Sequence, residues 1–578
     1  VNNQPSVKIL FLTHSFNSLA QRLYVELTRL GHEISIEFDI NDAVTTEAVE
    51  LYRPDLILAP FLKRAIPAHL WRHHLCLIVH PGIIGDRGPS ALDWAIMGGL
   101  PEWGVTVLQA SGEMDAGDIW ATETFPMRFA AKSSLYRHEV TQAAVRAVCS
   151  AIERYQSGRF CPMPLDYTRP QVRGRPHALM RQTDRAIDWL RDDTQTVIKK
   201  IHAADGFPGV LDTLCGQQYL LFDAHEEIRL QGKRPGDLIA RHHGAVCRAT
   251  VDGAVWIGHL KPKSDPASPY KLPATLALGE PIAHLSEITP HADEADRQGY
   301  RDIWLEQKHQ VGYLHFSFYN GAMDSDQCER LRQAFLNAAQ QDLRVLVLMG
   351  GTDFWSNGIH LNQIEHATSP ADESWRNINA MNDLVQAIIT RTHLLTIAAL
   401  QSNAGAGGVF LSLAADYIYA RRSVILNPHY KSMGNLYGSE YWTYLLPKRV
   451  TPQQAAALTG NRLPIGADEA RAIGLIDDCF ELEHQPFRNK IAQLAQSLAN
   501  NPDYERLLQR KQAQRQQDEN RKPLTAYRAE ELARMQLNFY GFDPSYHVAR
   551  YHFVHKLPHA WTPLYLARHR RIVPKCHE

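Results

Sequence analysis

The residues most able to do chemistry fall in three short stretches. In the first, the apolar run LCLIV ends at His80 and opens into HPGIIGDRGPS, a loop rich in Gly and Pro that carries Arg87 and Gly88; the acidic turn GEMDAGD then supplies Asp115. A histidine at the carboxyl end of a buried strand stands where open parallel sheets place their ligand crevices. An imidazole there, with a carboxylate to orient it, can move protons and stabilise an oxyanion. The second stretch pairs DFWSNGIHLNQI, with Gly358 and Ile359, and SNAGAGGVFLSLAADYIYA, with Gly405, Gly407 and Gly408 just before a helix. Glycines let backbone approach a ligand with no Cβ in the way, and N–H groups at a helix start are ready oxyanion donors. The third, NPHYKSMGNLYGSEYWTYLLP, is crowded with tyrosine and has a single acid, Glu440. Most of those tyrosines are expected to pack beneath a helix; Tyr430 and Glu440 are the candidates for acid/base work. Taken singly these signals are weak, and their order along the chain gives them weight.

The elements that must position them are readable from hydrophobic periodicity. VKILFLTHSFNSLAQRLYVELTRLGHEISIEFD reads strand, helix, strand, with Leu19, Leu23, Leu27 and Leu30 at helical spacing and Gly31 as the stop. PDLILAPF and LCLIVH are a third and a fourth strand, LDWAIMGG is a helix, and GVTVLQASGEMDAGDIWATETFPM alternates like paired strands around an acidic turn. The polar stretch HADEADRQGYRD reads as a linker, after which a second α/β pattern begins at VGYLHFSF. Residues 485–578 are charged and helical in pattern.

Composition narrows the classes. The 578 residues, 44% hydrophobic and 21% charged, are enough for three or four globular units. Lys plus Arg (61) balance Asp plus Glu (62), so no overall field would hold the chain on nucleic acid or an anionic membrane. The eight cysteines form no CxxC pair, which argues against a structural zinc and a disulfide framework and fits a reducing cytoplasm. No apolar run approaches the ~20 residues that span a bilayer, and no signal segment is evident. His547, His552 and His555 lack the acid and third ligand of known zinc helices, so no metal is expected; they read as solvated, with Arg550 or Lys556 nearby as candidates for phosphate contacts.

The order strand, His80-Pro81, loop with Arg87-Gly88-Pro89, LDWAIMGG, then GVTVLQASGEMDAGDI resembles the formyltransferases that use 10-formyltetrahydrofolate, notably methionyl-tRNA formyltransferase. The resemblance covers residues 1–170 as the catalytic domain with a Rossmann-like parallel sheet, and 181–285 as the small, OB-like β-barrel domain that follows it in that family. It implies His80 and Asp115 as the catalytic pair, with Arg87, Gly88 and Ile78 at the folate pocket. Ile78 stands where the family normally has an asparagine as an extra oxyanion donor. Losing such a donor takes away about 2.7–4 kcal/mol of transition-state stabilisation in other enzymes. A thiol acceptor is then expected rather than an amine, because a thiolate arrives deprotonated and is intrinsically more nucleophilic.

DFWSNGIHLNQI, SNAGAGGVFLSLAADYIYA and TGNRLPIGADEARAIGLIDD together resemble the crotonase (enoyl-CoA hydratase/isomerase) superfamily over residues 311–480, after a linker at 286–310. The resemblance implies an acyl-CoA thioester whose carbonyl receives the N–H groups of Ile359 and Gly407, with Gly358, Gly405 and Gly408 lining the site. The hydratase glutamates do not carry over, since their places hold Phe410 and His429.

The two halves joined resemble the hydrogenase maturation factors of the HypX/HoxX family over nearly the entire chain. That implies formyl transfer from 10-formyltetrahydrofolate to coenzyme A, then breakdown of formyl-CoA to carbon monoxide and CoA, with Glu440 as base and Tyr430 as its partner. The implied partners are these small molecules and the hydrogenase maturation machinery or hydrogenase large subunit, with no nucleic acid and no membrane. Two other readings stay open at this point: a formyltransferase for another acceptor with a regulatory CoA domain, and a non-catalytic CoA-binding scaffold.

Overall fold

In this computed structural model, which describes residues 5–264, 269–288 and 300–571, the chain forms two compact units: Val1–Tyr300 together with Pro558–Glu578, and Arg301–Leu557. Residues 289–299, part of the expected linker, and Cys576 lie outside the described residues. The seven described cysteines are free thiols.

The first unit opens with a six-stranded sheet in the order β2-β1-β3-β4-β5-β6, built from β1 (Lys8–Thr13), β2 (Glu33–Phe38), β3 (Leu56–Phe61), β4 (Cys76–His80), β5 (Glu102–Gln109) and β6 (Ile119–Pro126). The first four strands pair in parallel, whereas β4–β5 and β5–β6 are antiparallel. The parallel runs are buried almost throughout, as expected of strands covered on both faces. Asn17 and Asn41 cap the helices Ser18–Arg29 and Asp42–Tyr52 by accepting from Ala20 and Val44 N–H groups, which sets where each crossover begins. A second, antiparallel sheet follows in the order β7-β8-β11-β10-β9: β7 (Val210–Leu214), β8 (Gln217–Glu227), β9 (Leu238–His242), β10 (Ala245–Ala249) and β11 (Ala254–Pro262), with β12 (Leu272–Pro273) on β11. Its core takes Val197, Ile198 and Ile201 from the helix Thr194–Ala204.

The second unit has a six-stranded sheet ordered β13-β14-β16-β18-β20-β23. Its strands are β13 (Ile303–Lys308), β14 (Val311–Phe316), β16 (Val345–Gly350), β18 (Leu395–Leu400), β20 (Tyr417–Arg421) and β23 (Asp478–Phe480). Two small ribbons stand beside it: β15 (Ala322–Met323) with β17 (Gly358–Ile359), and β19 (Ala404–Gly405) with β21 (Ile425–Asn427) and β22 (Ile465–Gly466). One face of the main sheet packs on the helices Ser325–Ala338 and Pro370–Thr390, the other on Phe487, Ile491 and Ala495 of the helix His484–Ala499.

Two expected boundaries are corrected. The linker expected over 286–310 already contains β13, which pairs antiparallel with β14 from Ile303↔Phe316 to Lys308↔Val311. Its side chains are half-buried or exposed, so as an edge strand it carries little apolar signal, and Asp302 just before it is fixed by a two-pronged pair with Arg330 (2.9 and 2.6 Å). The helical region expected over 485–578 ends with the helix Ser545–His555. Beyond it the chain returns to the first unit, where Leu566 O accepts the Ile36 N–H, and His569 and Arg570 bond to Glu37 of β2.

Candidate functional site

In the first unit β4 delivers His80 at its last position, and the two-residue period of a strand puts Ile78 on the same face. His80 is buried. Its Nε2 lies 2.8 Å from Oδ2 of Asp86, and its Nδ1 lies 3.5 Å from Oδ2 of Asp115. The loop leaving β4 can fold back to place Asp86 there because residue 82 is glycine; a Cβ would run into both the His80 ring and the Asp86 carboxylate. Asp115 occupies a left-handed turn (φ 52°), and its Oδ2 accepts the Gly88 N–H at 3.1 Å. Arg87 donates through Nε to Met114 O at 2.9 Å and pairs with Glu113 at 3.0 Å. Arg87 and Gly88 therefore tie the loop after β4 to the acidic turn, and His80, Asp115, Arg87 and Gly88 come together. Gly88 is required twice over, by its φ of 117° and by the His177 carbonyl that a Cβ would strike. Ile78 packs against the apolar cluster of Leu10, Leu12 and Ala59 and offers no donor.

In the second unit the segment 355–359 and the turn 403–408 interlock. Trp355 donates its N–H to Asn403 O and its indole Nε1–H to Gly408 O, both at 2.9 Å, and Gly405 N–H donates to Ser356 O at 2.9 Å. A Cβ on Gly408 would strike the Ser356 carbonyl, and one on Gly358 would sit 3.4 Å from Gly407 N. Ala406 turns the chain with φ 49° and ψ −127°, a conformation that strains a residue with a Cβ by about 1–3 kcal/mol. Gly407 then opens the helix Gly407–Leu413, so its N–H has no acceptor within that helix. The β17 residue Gly358 and the glycine turn thus meet.

Glu440 joins them. A Cβ on Gly407 would run into the Glu440 carboxylate, so the acid lies against the α-carbon of the residue that opens the helix. The Tyr430 hydroxyl is 2.5 Å from Glu440 Oε2 and 3.0 Å from Ser439 O, and both side chains are buried. Burial, with the charge of Glu531 adding to it, pushes the Glu440 carboxyl up to about 7 against hydrogen bonds from Tyr430 and the Ser439 N–H. Burial first, and then the Glu440 charge, hold the Tyr430 phenol well above its ordinary value. Among the described residues no Lys, Arg or His pairs with Glu440. The Tyr430 ring stacks on Phe410 at 5.3 Å. His429, at the other hydratase-acid place, is buried with neither ring nitrogen hydrogen-bonded among the described residues, and burial lowers it to about 4, which leaves it neutral at pH 7.

The C-terminal expectations change. Arg550, a candidate for phosphate contact, is buried and bonded to Glu365 at 2.7 Å and to His547 Nδ1 at 2.8 Å; His555 also meets Glu365 at 3.3 Å. Only His552 of the three histidines is exposed. An arginine on a helix with one buried stripe turns inward when an acid waits there, which spacing alone does not reveal. The ligand atoms that converge elsewhere, on His242, His243 and Glu287, stand at and beside the end of β9 and lie outside both sites.

Three protein families match the chain: formyl transferase over residues 37–152, the formyl transferase C-terminal domain over 179–271 and enoyl-CoA hydratase/isomerase over 313–562. The hydrogenase maturation factor HoxX of Bradyrhizobium diazoefficiens is 53% identical over 98% of this chain and 97% of its own length. The chain belongs to the HypX/HoxX family of hydrogenase maturation factors. The crystal structure of HypX from Aquifex aeolicus in complex with tetrahydrofolic acid is 48% identical, with a TM-score of 0.94 over 98% of this chain and 99% of that one. Methionyl-tRNA formyltransferase of Roseiflexus sp. is 26% identical over 45% of this chain. The fold is accordingly that of a multidomain α/β HypX protein with a formyltransferase front half and a crotonase-like rear half.

Three residues of these sites escape sequence reasoning in this HypX/HoxX chain. Asp86 stands in plain view in GDRG, and an acid on a Gly-rich loop six residues past a histidine was its signal. Asn382 and Glu531 belong to helices far from Glu440 in sequence, yet Asn382 Oδ1 accepts the Glu440 N–H at 2.8 Å and Glu531 accepts the Tyr441 N–H at 3.0 Å. No described helix is long and apolar enough to cross a membrane.

Proposed function

We propose that this protein moves a formyl group from 10-formyltetrahydrofolate to the thiol of coenzyme A at His80 and then releases carbon monoxide from formyl-CoA at Glu440. The carbon monoxide is a ligand for the nickel-iron hydrogenase site, so the hydrogenase maturation machinery or the hydrogenase large subunit is the partner implied, in the cytoplasm. Support for folate comes from the tetrahydrofolic acid bound in the HypX relative, and support for CoA from the crotonase-like half.

At the first site His80 has a carboxylate on each nitrogen. Asp86, fully buried, fixes the ring through Nε2, while Asp115 on Nδ1 can take or return a proton as the attacked formyl carbon becomes tetrahedral. With Nε2 tied to Asp86, Nδ1 is the nitrogen that can face the oxyanion, its 3.5 Å from Asp115 being longer than a normal hydrogen bond. Ile78 supplies nothing polar, which suits a thiolate acceptor that brings no proton to shed.

At the second site the Ile359 and Gly407 amides polarise the thioester carbonyl. Glu440 takes the proton from the formyl carbon, the C–S bond breaks with its electron pair going to sulfur, carbon monoxide leaves, and the proton returns to the thiolate through Glu440 and Tyr430. No electron is gained or lost overall. A carboxyl held at about 7 is a base matched to neutral pH. The observation that carries the reading is the meeting of the Glu440 carboxylate with Gly407 at a site whose hydratase-acid places hold Phe410 and the neutral His429.

The test is to incubate the protein with 10-formyltetrahydrofolate, with and without CoA, and to trap carbon monoxide with deoxyhaemoglobin. Carbon monoxide is expected only when CoA is present. Formyl transfer that ignores CoA would point to another acceptor, and tight CoA binding without turnover to a scaffold; either result overturns the proposal.

A further inference from the structure

Glu440 is held in an unusual backbone. It and Tyr441 both take left-handed conformations (φ 60° and 57°) while fully buried, and neither is glycine. Each such residue carries roughly 1–2 kcal/mol of strain, so the surroundings must over-determine the turn. They do so from two helices. Asn382 of the helix Pro370–Thr390 accepts the Glu440 N–H at 2.8 Å and the Ser439 hydroxyl at 2.9 Å. Glu531 of the helix Leu524–Tyr540 takes the rest: its Oε2 accepts the Tyr441 N–H at 3.0 Å and lies 3.2 Å from Ser439 Oγ, and its Oε1 accepts the Thr443 N–H at 2.9 Å and the Thr443 hydroxyl at 2.6 Å. Three donors, the Tyr441 and Thr443 N–H groups and the Thr443 hydroxyl, thus surround one carboxylate that has no exposed surface, with the Ser439 hydroxyl shared between it and Asn382.

We propose that Glu531 is the positioning residue of the Glu440 site: its carboxylate, delivered by the helix Leu524–Tyr540, holds the left-handed turn that sets Glu440 against Gly407. The inference rests on the reading of Glu440 as the base. Glu531 has its charge balanced by N–H and O–H dipoles, whereas Glu440 receives only the Tyr430 hydroxyl and the Ser439 N–H. Burial lifts the Glu531 carboxyl to about 7 as well, against these bonds, so the two acids compete for a proton and the charge of Glu531 raises Glu440. The other groups facing Glu440 do not upset this. Cys328 of the helix Ser325–Ala338 is a buried thiol held far above its ordinary value, Asn382 is neutral, and the helix Gly407–Leu413 presents backbone. Arg528, one turn before Glu531, is directed to Asp383 (2.6 Å) and Asn379 (2.9 Å). A negative neighbour makes Glu440 a stronger base, released at higher pH than it would be alone.

The experiment compares Glu440→Gln, Glu531→Gln and Glu531→Asp in the full chain, with carbon monoxide release followed against pH. Glu531→Gln keeps the shape, removes the charge and sets an amide NH2 against donors. Release should fall about 10- to 100-fold, and its rise with pH should begin about one unit lower. Glu531→Asp should bring the pH limb back towards that of the unaltered protein and recover part of the rate. An unchanged rate and limb in Glu531→Gln overturns the proposal, and so does equal loss in Gln and Asp variants with the limb unmoved, which marks a merely structural role. Glu440→Gln separates the two levels: if it still releases carbon monoxide, the base assignment itself fails. Should Glu531→Gln not fold, as judged by circular dichroism, Thr443→Val removes the shortest hydrogen bond to Glu531; a lowered rate supports the proposal and an unchanged one overturns it.

Discussion

The two candidate sites treat a buried acid in opposite ways. Asp86 and Asp115 meet an imidazole, so charge in the front half can be shared between a base and two carboxylates. Glu440 meets a phenol, a backbone N–H and the field of a second carboxylate, so in the rear half charge is resisted and a proton retained. The difference matches what each step must do. Transfer of a formyl group builds and discharges a tetrahedral oxyanion, for which a histidine held in place by carboxylates is suited. Expulsion of carbon monoxide needs a carboxylate basic enough to take a proton from carbon, and burial without a cation provides that.

The largest expected effects separate the two halves outright. Glu440→Gln should lower carbon monoxide release by about 10²- to 10⁴-fold, the usual range for a general base, while formyl-CoA accumulates and is seen by mass spectrometry. His80→Ala should lower formyl transfer by a similar factor, yet formyl-CoA supplied directly should still be broken down at the unaltered rate. Loss of both steps in either variant would mean that the halves are not chemically distinct.

A smaller effect sharpens the front half. Asp86→Asn keeps the shape beside His80 Nε2 but removes one of the two carboxylates. Formyl transfer is expected to fall about 10- to 100-fold with binding of tetrahydrofolate, read by calorimetry, unchanged. An unchanged rate would leave Asp115 as the sole acid that matters.

The rear half should respond to pH where the front does not set the rate. With formyl-CoA supplied, release should rise as pH passes through about 7, because Glu440 must lose its proton to act, and should level off above that. A profile that falls over this range would make Glu440 an acid instead. Tyr430→Phe should cut the rate about tenfold, less than the loss of Glu440, since Tyr430 assists a proton transfer that it does not begin.

How much of this was legible in the sequence also divides between the halves. His80, Arg87, Gly88 and Asp115 belong to one strand, one loop and one turn, so their meeting follows from local order. Asp86 was missed only because a loop acid has many ordinary uses. The glycines at 358 and 407 come from segments well separated in sequence, and their contact follows from the crotonase resemblance rather than from any spacing. Glu531 had a physical signal: it stands with Leu524, Met535 and Phe539 on the buried stripe of its helix, where an acid is almost never found unless something requires it. The turn that it holds, with two consecutive left-handed residues, is written in no sequence pattern, because neither Glu440 nor Tyr441 is a residue that favours that conformation.

Both units are completed by the end of the chain, and the smallest predicted effect tests the front one. Glu37 of β2 is buried, and it accepts from Arg570 Nε at 2.6 Å, from His569 Nε2 at 2.9 Å and from the Thr562 hydroxyl. Burial alone would raise its carboxyl, but the bonds from His569, Thr562 and Arg570 outweigh that and hold it below the ordinary glutamate range. A depressed carboxyl stabilises the fold at neutral pH and loses that contribution as pH falls through its folded range. Arg570→Ala should therefore destabilise the front unit by about 1.5–3 kcal/mol at pH 7, the scale of a hydrogen bond to a charged group. In thermal melts the gap to the unaltered protein should narrow in acid, where Glu37 is protonated in both. Breakdown of supplied formyl-CoA at 25 °C should be untouched, since Glu440 and its partners belong to the other unit. A gap of constant size across the acid range would show that Arg570 acts through packing rather than through the Glu37 charge.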